Sequence, residues 1–117
     1  MRYRVRLIDW ISGYERGMNT DQTISELAGL LAETSDSSLI QDLLNGMLTP
    51  PEREKISLRW QLVCLLKDGM SQRAIAEKLG VSLCKITRGS HELQHGPEGF
   101  GKMVDAYQKR RSSAEGE

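Results

Sequence analysis

The sequence predicts an all-α fold of about six helices, and three observations carry that expectation. Residues 70–91, MSQRAIAEKLGVSLCKITRGSH, hold the pattern of two short helices meeting at a sharp turn. Thr49, followed by Pro50 and by Glu52 at the third helical position, is a capping-box start for a long helix. The remaining apolar residues recur at helical spacing between short polar breaks, so little of the chain is left for strands.

Along the chain, residues 1–19 show no helical period. Arg2, Arg4 and Arg6 alternate there with Tyr3, Val5 and Leu7, as in a strand or an extended arm whose role is open. Thr23 and Glu26 form a capping box ahead of a stripe of Ile24, Leu27, Leu30 and Leu31. The polar run 35–38 breaks that stripe, and a short helix follows with Leu39, Ile40, Leu43, Leu44 and Met47. The long helix runs from Thr49 to about Lys67, where Gly69 ends it. In the next two helices Ala76 falls where they cross, Gly80 in the turn, and Ile75, Leu79, Val81 and Ile86 in their shared core. Gly80 can take the left-handed conformation the turn requires, and Ser82 can cap the second helix, about residues 82–91. Gly96 and Pro97 then punctuate the chain before a last amphipathic helix with Phe100, Met103, Val104 and Tyr107. The expected organisation is an arm at 1–19, a helical DNA-binding domain at 20–108 with its helix-turn-helix at about 71–91, and a disordered tail at 109–117.

At 117 residues the chain is long enough for one modest core. The stripes at 24–31 and 39–48 are broad for so small a chain and want a partner, for which a second copy is the simplest source. No apolar run approaches the length of about eighteen residues that a membrane span needs, and MRYRVRLIDW is too charged for a secretory signal, so a cytoplasmic protein is expected. Cys64 and Cys84 fit reduced thiols; with His91 and His95 they match no common zinc spacing, so no metal site is expected. No carboxylate cluster, nucleophile with its base, or phosphate loop points to an enzyme.

Sixteen basic residues balance sixteen acidic ones, but they are not evenly spread. Residues 13–46 hold six acids against one base, whereas residues 53–91 hold eight bases against three acids, a net +5. A basic region of this kind attracts phosphate in a salt-sensitive way. The candidate DNA-contacting residues lie within it: Gln72, Arg73, Ala76, Leu83, Cys84, Lys85, Thr87 and Arg88. Gln, Arg, Lys and Thr are types that reach phosphate oxygens and base edges. Two such motifs about a two-fold axis would lie roughly 34 Å apart and read a palindrome.

From about Leu39 to Tyr107 the chain resembles the bacterial tryptophan repressor family. The resemblance rests on LLNGMLTPPERE (43–54), LRW (58–60), GMSQRAIAEKLG (69–80) and above all ITRGS (86–90). It implies an intertwined helical homodimer that binds operator DNA when L-tryptophan occupies a pocket between the motif and the partner subunit. Arg59 and Arg88 match the pair of arginines that sandwich the indole, and Gly89 the position where backbone approaches the ring. Thr49 matches a hydroxyl that reaches the carboxylate from the other subunit, next to the backbone from Leu44 to Leu48 that accepts from the ammonium. Gly46, Leu48, Val63 and Glu92 complete the implied ligand-binding set. Arginine suits such a pocket, because its planar guanidinium both stacks on a ring and grips a carboxylate with two bonds.

Four departures stand out. Glu92 replaces a usual Ser near the ammonium, Lys85 a usual Thr, Gly46 a larger apolar residue, and the turn after Gly69 is one residue shorter. The expected function is a DNA-binding transcriptional repressor with L-tryptophan as corepressor. The alternatives are a relative that takes another indole compound or binds DNA without ligand and, remotely, a DNA-docking subunit of a recombinase or other enzyme.

Overall fold

The computed structural model describes residues 19–115, which form six helices: α1 Thr20–Glu33, α2 Ser37–Met47, α3 Pro50–Lys67, α4 Gln72–Leu79, α5 Leu83–His95 and α6 Glu98–Glu115. No strand occurs among the described residues, so the fold is all-α as the sequence predicts. The arm expected at residues 1–19 lies, but for Asn19, outside them. Among the described residues no helix is long and apolar enough to cross a membrane.

The first compact unit ends at Met47 and contains α1 and α2. The first helix starts three residues before the expected box. Asn19 caps it by accepting from the Gln22 N–H at 3.2 Å, and the Thr23 hydroxyl donates to the Asn19 carbonyl at 3.1 Å. Asn is among the strongest caps, so it displaces Thr23 into the first turn. Asp36 starts α2 by accepting from the Ser38 N–H at 2.9 Å. Neither helix buries a single residue, and Ile24 and Leu39 are each 59% exposed.

The second unit, from Leu48 onward, is built around α3. Helices α4, α5 and α6 all pack against α3, which is why three consecutive residues, Leu62, Val63 and Cys64, are buried on it. Ile75, Ile86 and Val104 add one fully buried side chain from each surrounding helix. Burial pushes the Cys64 thiol above its usual pKa. At the head of α3 the expected capping box is complete: the Thr49 N–H donates to Glu52 Oε1 at 2.8 Å, and Thr49 Oγ1 accepts from the Glu52 N–H. The first of these bonds holds the Glu52 carboxyl below its usual pKa. At its tail, Gly69 with φ +91° lets its own N–H and that of Met70 close onto the Leu66 and Leu65 carbonyls, a Schellman ending.

The last helix begins at Glu98, directly after the Gly96–Pro97 break, and runs to Glu115. Residues 109–115, expected to belong to a disordered tail, are thus helical, and 116–117 lie outside the described residues. Contacts distant in sequence hold this helix: Gln108 Nε2 donates to Asp68 Oδ1 at 2.6 Å and to the Cys64 carbonyl at 3.2 Å, and Arg111 pairs with Asp68 at 3.3 Å. Tyr107 meets Trp60 edge-on at 5.4 Å, while Lys67 pairs with Asp105 at 3.0 Å. Phe100, Val104 and Tyr107 form the packed stripe, whereas Met103 is exposed.

Candidate nucleic-acid and ligand site

The turn between α4 and α5 has the geometry its residues require. Ser71 caps α4, Gly80 sits at φ +66° and ψ +34°, and Ser82 caps α5 by accepting from the Lys85 N–H. The N–H groups of Gly80 and Val81 both donate to the Ala76 carbonyl, at 2.9 and 3.2 Å. Ile75 and Ile86 are fully buried beneath the turn, with Leu79, Val81 and Ala76 packed around them. This is the helix-turn-helix expected of residues 70–91, except that its second helix continues to His95 before Gly96 and Pro97 stop it.

On the outer side, Arg73, Leu83, Cys84, Lys85, Thr87 and Arg88 are exposed. Leu83 and Cys84 occupy the first turn of α5, and together with Thr87, Arg88, His91 and Glu92 they line an open groove along that helix. The remaining two DNA candidates sit differently. Gln72 is half-buried and its Oε1 accepts from the Thr87 hydroxyl at 3.1 Å, tying α4 to α5 across the turn. Ala76 is packed against the core at the helix crossing, as its small size permits.

The candidate ligand residues divide between the two units. In the first, Leu44 and Gly46 are exposed on α2, and a Cβ at Gly46 would meet only open space. In the second, Thr49 caps α3, and the Leu48 carbonyl already accepts from Arg53 Nη1 at 3.1 Å. An ammonium at that carbonyl would have to share it. Val63 is buried in the core. Arg59 is exposed on α3 one turn before Leu62 and Val63, and Arg88 is exposed on α5 next to Gly89. Gly89 itself packs directly on Leu62, so that a Cβ there would overlap Leu62 Cδ2 and come within 3.7 Å of Val63 Cγ1. Arg59 and Arg88 therefore branch from α3 and α5 beside the point where these helices touch. Close packing of α5 onto α3 is a requirement for glycine that the sequence reading missed; only the pairing of two helices reveals it. Gly89→Ala is expected to lower stability by about 1–3 kcal/mol through overpacking, read as a lower thermal midpoint.

Glu92 reaches forward along α5: its Oε2 lies 2.6 Å from where a Cβ on Gly96 would stand. The carboxylate thus occupies the C-terminal end of the groove, one turn beyond Arg88. Arg88 and Glu92 thus lie on one open face of α5, while Arg59 and Gly89 do not line it.

The family model described as Trp repressor protein matches residues 22–108. A Trp operon repressor homolog of Aliivibrio salmonicida is 40% identical over 72 residues, covering 60% of this chain and 66%, just under two thirds, of that protein. Its counterpart in Aliivibrio fischeri is 36% identical over 91 residues, covering 76% and 84%. The one in Chlamydia trachomatis serovar L2 is 38% identical over 76 residues, covering 64% and 81%. The matched span runs from α1 into α6 and includes the whole helix-turn-helix, and the chain belongs to the Trp repressor protein family of transcriptional regulators.

Proposed function

We propose that the chain is a homodimeric repressor that binds operator DNA through α5 and is switched on by L-tryptophan held at the crossing of α3 and α5. One observation carries the reading: Arg59 and Arg88 project from two helices that touch at Gly89, and α5 is also the second helix of the helix-turn-helix. A flat ligand between the arginines would fix the angle of α5 to α3. Ligand and DNA then favour the same state, with a coupling of about 1–3 kcal/mol. A second copy would supply Thr49 and the backbone of 44–48 to the ligand and would cover the exposed stripes of α1 and α2. Static light scattering is expected to give twice the chain mass at micromolar concentration; a monomer would contradict this reading.

Selection from random-sequence duplexes tests the whole reading. With L-tryptophan present, the enriched DNA is expected to be palindromic with half-sites about one helical turn apart. Enrichment that does not depend on the ligand would remove the corepressor from the scheme, and no enrichment would remove DNA recognition. On the selected site Arg73→Ala and Lys85→Ala are each expected to weaken binding with the fold intact, and to flatten the salt slope if the lost contact is to phosphate. Gel-shift titrations at two salt concentrations read this directly; unchanged affinity in both variants would show that the assigned face is wrong.

A further inference from the structure

Residues 91–95 read His-Glu-Leu-Gln-His and lie within the last turns of α5. Histidines at i and i+4 share one helix face, the arrangement by which a helix chelates a transition-metal ion. Their rings are already paired, with centroids 4.9 Å apart and planes inclined by 49°. A metal held about 2.0–2.1 Å from one nitrogen of each imidazole places the centroids roughly 4.5–5.2 Å apart for N–metal–N angles of about 90–110°. The observed spacing falls inside that window, so chelation asks only for rotation of two exposed rings.

We propose that His91 and His95 form a two-imidazole site for a divalent first-row transition-metal ion on the outer face at the end of α5. Cys64 and Cys84, which together with the histidines match no zinc spacing, lie apart from the pair. Cys64 is buried in the core, and Cys84 lies two turns before His91, about 10 Å along the helix axis. Among the described residues no third His, Cys, Asp or Glu joins the pair. The ion therefore keeps its other positions for water or for a donor from outside the chain, which suits exchangeable binding. Local charge permits it, since Arg88 one turn earlier is offset by the neighbouring Glu92. Neutral imidazole prefers ions in the order Ni²⁺ below Cu²⁺ and Cu²⁺ above Zn²⁺, so Cu²⁺ should bind most tightly.

The test needs neither tryptophan nor DNA, and its outcome is independent of the repressor reading. Cu²⁺ and Zn²⁺ are titrated by calorimetry into the full chain freed of any affinity tag, and helix melting is followed with and without each ion. One ion per chain is expected, Cu²⁺ tighter than Zn²⁺, with a raised melting temperature because the chelate bridges successive turns. His91→Ala and His95→Ala are each expected to weaken binding about tenfold or more and to erase the melting shift. Cys84→Ser should leave both unchanged. These are the chain's only two histidines, so no other imidazole can substitute. Saturable binding that survives either histidine variant, or that vanishes in Cys84→Ser, overturns the assignment, as does the absence of one-to-one binding to the unmodified chain.

Discussion

Ile75→Ala and Ile86→Ala are expected to cost about 2–5 kcal/mol each, the range for truncating a fully buried aliphatic side chain when the surroundings relax only in part. Both side chains have no exposure and lie under the same turn, so little can collapse into the space they leave. Domains of this size commonly have only about 5–15 kcal/mol in total, and among the described residues the buried core of the second unit is six residues. Either variant should therefore lose its helix-turn-helix near physiological temperature. Urea melts followed by circular dichroism would show a much lower midpoint at unchanged slope. Met103→Ala, at a position 67% exposed, serves as the control and should shift stability by no more than about 0.5 kcal/mol. If Ile86→Ala melts with Met103→Ala, the packing described for the turn is wrong.

Those two isoleucines were legible in the sequence for the same reason that they matter. Helical spacing, a turn glycine and a capping serine are local rules, and Ile75, Gly80, Ser82 and Ile86 obey them together. The Thr49–Glu52 box was legible on the same terms. Asn19 and Thr23 are both good caps four residues apart, and the choice between them depends on where the preceding chain turns. What escaped the sequence depends on partners far along the chain. Arg111 looks like a residue of a solvated tail until Asp68, 43 positions earlier, is brought beside it. Gln72 and Thr87 look like two separate DNA contacts until the turn places them in hydrogen-bonding range of each other. Gly89 has the clearest double meaning: matched to the family it marks an approach to a ring, while in the fold it is also the seat of α5 on Leu62. The pairing of His91 with His95 needs only four-residue spacing on one helix, and neither cysteine belongs to it.

Arg88→Leu is expected to abolish tryptophan binding, and Arg59→Ala to weaken it by roughly 1–3 kcal/mol. The asymmetry follows from the roles proposed for the two side chains. Arg88 would both cover one indole face and grip the carboxylate with its planar fork, so Leu leaves the carboxylate without its charge partner. Arg59 would cover only the other face. Both residues are exposed, so the variants should keep the melting behaviour of the unmodified chain, and loss of binding cannot then be blamed on the fold. Glu92 extends the expectation to the ligand's other end. Its carboxylate sits by Gly96 on the same open face of α5 as Arg88, and it would favour a ligand carrying an ammonium as well as a carboxylate if the side chain turned toward Arg88. Indole-3-propionate, which lacks the amine, should bind more weakly than tryptophan, and Glu92→Gln should narrow the gap by weakening tryptophan alone. Calorimetric titration of both compounds into both proteins decides the matter. Tighter binding of the amine-free compound to the unmodified chain would mean that Glu92 repels the ligand's acid end more than it attracts an amine, and the regulator would then answer to a different indole through the same two arginines.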